Sequence, residues 1–87
     1  MKIKSGYLIR EIAGAYVVVP AGEQVSEFNG LMTLNETAAF IWKILVDGAD
    51  EDALVSALLD EYDIDEATAR NDVKKVIDLL KSYKVFE

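Results

Sequence analysis

The sequence predicts an α+β domain: a small antiparallel sheet followed by three helices. Three observations carry that reading. Two β-rich runs flank a glycine-containing turn near the N-terminus, the apolar spacing switches to a helical period after Asn35, and Asp50 and Asp65 open two further helical stretches. Eighty-seven residues suit a single domain, 1–87, without an internal linker. A chain of this size buries roughly 60% of its unfolded surface. With 52% apolar residues it has enough to build one core.

The first run is Tyr7–Ile12 and the second Tyr16–Pro20, with Ala13-Gly14-Ala15 as the turn of a hairpin. Tyr16-Val17-Val18-Val19 is apolar on both faces, which places the second run centrally, and Pro20 ends it. After the polar connection 21–27 comes a third strand, Phe28–Leu34. Asn29-Gly30 reads as a turn or bulge within it, so the regular part is Leu31–Leu34 and the meander covers about 7–34. Asn35 has N-cap chemistry, with Glu36 beside the positive helix end.

Ala38, Ile41, Trp42 and Leu45 recur at helical spacing and Phe40 and Ile44 broaden the stripe, giving a largely buried helix over about 35–46. Gly48 is its C-terminal cap. A second helix, about 50–61, carries Leu54, Ala57, Leu58 and Tyr62 inward. A third, about 65–82, carries Ala69, Val73, Val76, Ile77 and Leu80 on one side. Lys81 and Lys84 lie at its negative end, and Lys84-Val85-Phe86 reads as a terminal extended segment. A sheet followed by a helix–turn–helix resembles a winged-helix arrangement.

Composition removes several function classes. Sixteen acidic against nine basic residues, net −7, make a surface that repels phosphate backbones. With no histidine and no cysteine, most general-base, nucleophile, thiolate and transition-metal arrangements are excluded. Catalysis by this chain alone, a cofactor and a metal are therefore not expected. MKIKSGYLIREI lacks the continuous apolar run of a signal peptide, and no stretch approaches the roughly 20 apolar residues that span a bilayer. A cytoplasmic location is the expectation.

The acid-rich stretches 47–52 and 60–66 lack calcium-loop spacing and fall where carboxylates complement helix starts. Ser56 lies within a helix, not just before one, so it does not present the handle of a carrier domain. Trp42 shares its face with Ile41 and Leu45 and reads as core. Arg70, Lys74 and Lys81 share one side of the third helix, either as a solvated face or as a groove wall for an acidic peptide. The third strand is the most informative element. As the last strand of a meander it lies at an edge, yet Leu31–Leu34 carries neither charge nor proline to blunt it. Either another segment of the chain covers that edge or a peptide adds a strand there.

Leu34-Asn35-Glu36-Thr37-Ala38 followed by Ile41-Trp42 resembles the hallmark of the pyrroloquinoline-quinone biosynthesis protein D (PqqD-like) family. The preceding hairpin, the Asp65–Lys81 helix and the closing Tyr83-Lys84-Val85-Phe86 fit in order and spacing. The resemblance implies a recognition element for ribosomally made, post-translationally modified peptides. In that scheme the leader of a precursor peptide adds antiparallel to the third strand, lies against the third helix, and is presented to a modifying enzyme, often a radical SAM enzyme. Carried onto this chain, the strand edge is Gly30, Leu31, Met32, Thr33 and Leu34, and the helix wall is Arg70, Val73, Lys74, Ile77 and Lys81. Asn35, Glu36 and Thr37 then fix the strand-to-helix corner. The edge also leaves room for a second copy of the chain. The rival expectations are a winged-helix DNA-binding or transcription-associated module, and a structural subunit of an enzyme complex.

Overall fold

In the computed structural model, which describes residues 1–21 and 32–87, three strands precede three helices. The strands β1 (Tyr7–Ile12), β2 (Ala15–Pro20) and β3 (Met32–Leu34) form one antiparallel sheet in the order β1-β2-β3. The helices are α1 (Glu36–Asp47), α2 (Glu51–Glu61) and α3 (Glu66–Ser82). The predicted α+β class and element order hold. The observed third strand is Met32–Leu34; Phe28–Leu31 of the predicted one lies outside the described residues.

The first hairpin is tighter than the sequence reading. Ala15 belongs to β2, opposite Ile12, so the turn is Ala13-Gly14 alone. Both turn residues have positive φ, +52° and +82°, the signature of a type I′ turn, whose twist matches that of the flanking strands. Glycine adopts this region freely, whereas Ala13 is strained there.

Each helix begins on a side-chain cap. Asn35, Asp50 and Asp65 accept hydrogen bonds from the backbone N–H groups of Ala38, Ala53 and Thr68 at 2.8, 2.8 and 2.7 Å. The backbone N–H and side chain of Thr68 hold the Asp65 carboxyl below the usual carboxylate range. The end of α3 is closed by a Schellman motif: Lys84 N–H donates to Lys81 C=O at 3.0 Å and Val85 N–H to Leu80 C=O at 3.5 Å. Lys84, at φ +59°, occupies the left-handed position where glycine is usual. Of the predicted extended segment 84–86, Lys84 is instead the left-handed residue of this motif, and only Val85 and Phe86 run on to pair with the N-terminal residues. Phe86 bridges antiparallel to Ile3, Lys4 N–H donates to Val85 C=O at 2.8 Å, and Ile3 N–H donates to Leu45 C=O at 3.0 Å.

One core joins the layers. Val18, Met32 and Leu34 from the sheet meet Ile41, Trp42 and Leu45 of α1, and Leu54, Leu58, Val73 and Leu80 continue it between α2 and α3. Trp42 is fully buried against the edge of the Tyr7 ring, with centroids 5.8 Å apart, as its apolar face predicts. On α2 the inward residues are Leu54, Val55 and Leu58; Val55 takes the burial expected of Ala57, which is only partly covered. No helix among the described residues is long and apolar enough to cross a membrane.

Ala13→Asn creates the Asn-Gly pair that this turn geometry favours. It is expected to stabilise the protein by about 0.5–1 kcal/mol, read as a higher midpoint in thermal and urea denaturation. A fall in stability would mean that the turn does not hold positive φ at that position.

Candidate functional site

The backbone groups of β3 are assigned by alternation. Ile12 and Ala15 close a two-residue hairpin and are a hydrogen-bonded pair, so Arg10–Val17 and Leu8–Val19 are bonded pairs as well. The 2.7 Å bond from Ala21 N–H to Gly6 C=O continues the same alternation. Tyr16 and Val18 therefore turn their N–H and C=O groups toward β3, onto Leu34 and Met32. Thr33, opposite Val17, is in the intervening non-bonded pair, and its N–H and C=O point away from the sheet. Among the described residues no strand pairs with that outer edge.

Side chains follow the same period. Met32 and Leu34 are buried in the core and Thr33 is exposed. Of the predicted strand residues, then, Thr33 offers both a free backbone pair and an accessible side chain. Met32 and Leu34 serve the fold, and Gly30 and Leu31 lie outside the described residues.

Immediately after Leu34 the chain turns into α1. Only Asn35 intervenes, and its cap bond fixes the corner. Beside this corner lies a notch of about 120 Å³ lined by Asn35, Thr37, Asp72, Lys75 and Val76. The flank of α3 next to the end of β3 is therefore the row containing Asp72, Lys75 and Val76. Leu79 continues that row one turn on, and it is 38% exposed, a large apolar side chain left at the surface.

The predicted helix-wall residues divide. Val73 and Ile77 are buried in the core. Arg70 lies on the α2 side, 3.2 Å from Asp52 and 3.6 Å from Glu51 in the first turn of α2, and 3.8 Å from Glu66. These are exposed pairs, each worth about 0–1 kcal/mol; they orient Arg70 more than they stabilise the fold. Lys74 and Lys81 are exposed and continue the Arg70 row at spacings of four and seven. The sequence reading took the basic row because of its charge and did not consider the Asp72–Leu79 flank. An apolar residue beyond the helix's buried stripe, Leu79, was the available signal.

The chain is similar to known proteins over most of its length. A profile of the family described as coenzyme PQQ synthesis protein D (PqqD) matches residues 15–85. Among solved structures, TbiB1 in complex with the TbiA(beta) leader peptide superposes with a TM-score of 0.77 at 22% identity, covering 100% of this chain and 95% of that one. Lasso peptide synthetase B1 complexed with the leader peptide gives a TM-score of 0.69 at 22% identity, covering 93% and 89%. No curated protein matches the chain in sequence.

Asn35→Ala removes the oxygen that accepts the Ala38 N–H. It is expected to cost about 1 kcal/mol in urea unfolding, with the loss of amide-exchange protection concentrated at the start of α1. Unchanged protection at Ala38 would show that the corner is held by other contacts.

Proposed function

This chain belongs to the PqqD family, and on that footing we propose that it is a non-enzymatic leader-peptide-binding protein that presents a ribosomally made precursor to a modifying enzyme. The observation that carries the reading is the outward N–H and C=O of Thr33 on an edge that no described strand covers. An incoming peptide running antiparallel to β3 can donate to and accept from that residue. Two solved neighbours of the same fold hold leader peptides, which supports the same assignment.

In this proposal β3 sets the register and α3 supplies the wall. The wall is assigned to the flank nearest the strand end, Lys75 and Leu79, with Asp72 at its rim and the largely buried Val76 at its floor. The expected wall residues Val73 and Ile77 support that flank from beneath. Arg70, engaged with α2, is assigned no direct contact, and Lys74 and Lys81 contribute long-range attraction for an acidic leader. The recipient enzyme in the proposal is of the radical SAM class that the family resemblance implies. Binding near 1 μM, about −8 kcal/mol, suits a delivery role that must also release its cargo. A nucleic-acid role is disfavoured by the net charge of −7 and by the engagement of Arg70.

The direct test is titration of leader peptides encoded beside the gene into isotope-labelled protein, followed by amide shifts. Shifts at Thr33 and along residues 72–79 are expected; binding that leaves both unmoved sinks the assignment.

Proline at position 33 removes an N–H that the sheet does not use. Thr33→Pro should therefore stay folded and lose about tenfold in peptide affinity, from one hydrogen bond and the proline ring at the edge. Met32→Pro should instead destabilise the fold, because its N–H is assigned to the bond with Val18. Wild-type affinity in folded Thr33→Pro argues against strand addition at this edge. Leu79→Ser tests the wall: about fivefold weaker binding with an unchanged melting temperature is expected, and unchanged affinity would confine the contact to the strand.

A further inference from the structure

A second concavity lies on the other side of the β3–α1 corner. It encloses about 170 Å³ and is lined by Tyr16 from β2, by Glu36, Ala39, Phe40 and Lys43 from α1, and by Glu61 and Tyr62 at the end of α2. Phe40 and Tyr62 meet edge to face with centroids 5.7 Å apart. Tyr16, Phe40 and Tyr62 are each only partly buried, so aromatic surface is left open at the mouth. Burial first, then the negative fields of Glu36 and Glu61, push the Tyr62 hydroxyl above its usual 10.0. Both carboxylates line the notch at its mouth.

Aromatic faces are electron-rich, and a carboxylate pair at their rim adds full negative charge. That combination selects a cation. The chain itself demonstrates the attraction, since the ammonium of Lys43 sits over the Tyr16 ring, 5.4 Å from its centroid. Lys43 lines the same notch and takes the face of Tyr16, which leaves Phe40, Tyr62 and the two glutamates as the part of the lining that a cation from outside would meet. A guanidinium suits it better than an ammonium, because its planar face stacks on a ring while its edge donates to carboxylates.

We propose that the Tyr16–Phe40–Tyr62 notch, gated by Glu36 and Glu61, is a docking site for an arginine side chain of a protein partner. Its position separates it from the peptide edge. Tyr16 lies on β2, the neighbour on the inner side of β3, whereas a peptide at Thr33 lies on the outer side. The two sites can be filled at once, and an arginine seated here anchors a second protein while the strand edge holds its peptide. The inference is independent of the peptide assignment, since it rests on different residues and a different ligand chemistry.

The probe is a short capped peptide, acetyl-Gly-Arg-Gly-amide, titrated into the labelled full chain at low salt. The isosteric citrulline peptide, which keeps the shape and loses the charge, is the control. Shifts confined to Tyr16, Glu36, Phe40, Glu61 and Tyr62, saturating in the millimolar range and absent with citrulline, are expected. The surface double variant Glu36→Gln/Glu61→Gln should fold normally and bind the arginine peptide about tenfold more weakly, the sum of two exposed ion pairs. Equal response to citrulline, no saturation, or shifts spread evenly over the other acidic surfaces overturns the proposal. Binding unaffected by the double variant overturns it as well.

Discussion

The structure turns on the corner between β3 and α1. Leu34 ends the strand in the core, Asn35 caps the helix through a 2.8 Å bond to Ala38 N–H, and Glu36 already lies in the first turn. With no loop to absorb a shift, strand and helix are set in one rigid relation. The register Tyr16–Leu34 and Val18–Met32 then fixes the strand against the sheet, while Ile41, Trp42 and Leu45 fix the helix against the core. Slippage of β3 by one residue would turn Met32 and Leu34 to solvent and drag the start of α1 with them. Both candidate sites inherit their geometry from this junction: the peptide edge before it and the aromatic notch around its first helical turn.

Much of this was legible in the sequence for an identifiable reason. The three caps are asparagine or aspartate immediately ahead of apolar periodic runs, a local signal read without tertiary information. The centrality of β2 followed from four apolar residues in a row. The turn was misjudged by one residue because nothing in Ala13-Gly14-Ala15 announces that an alanine will accept positive φ. That strain is tolerated because the two-residue connection matches the strand twist. Val55 in place of Ala57 on α2 shows the limit of periodicity where several small apolar residues compete for one stripe.

The candidate site was less legible than the fold. Arg70, Lys74 and Lys81 stand out in a sequence of net −7, yet their row begins on Arg70, which the acidic start of α2 engages. A helix has several flanks, and the choice among them is made by neighbours distant in sequence: Asn35 and Thr37 on one side, Glu51 and Asp52 on the other. Similarly, Tyr16, Phe40 and Tyr62 read in the sequence only as apolar members of three separate elements. They become one notch only because the end of α2 returns beside the start of α1.

Magnitudes indicate how peptide recognition would be divided between the elements. Each backbone hydrogen bond contributes a net of about 0.5–1.5 kcal/mol. Thr33 alone presents an outward pair on the described strand, so its two bonds supply about 2 kcal/mol of the roughly 8 that micromolar binding requires. In the proposed complex the remainder would come from other contacts of the peptide, the side chains and charge of α3 among them. The one outward pair of the described strand is therefore better suited to fixing direction and register than to fixing affinity. On the proposed function, discrimination between leaders would then fall to the exposed residues Lys75 and Leu79 of α3. A protein of this fold can then change its peptide partner by substituting a few exposed residues on one helix, leaving untouched the corner on which its structure rests.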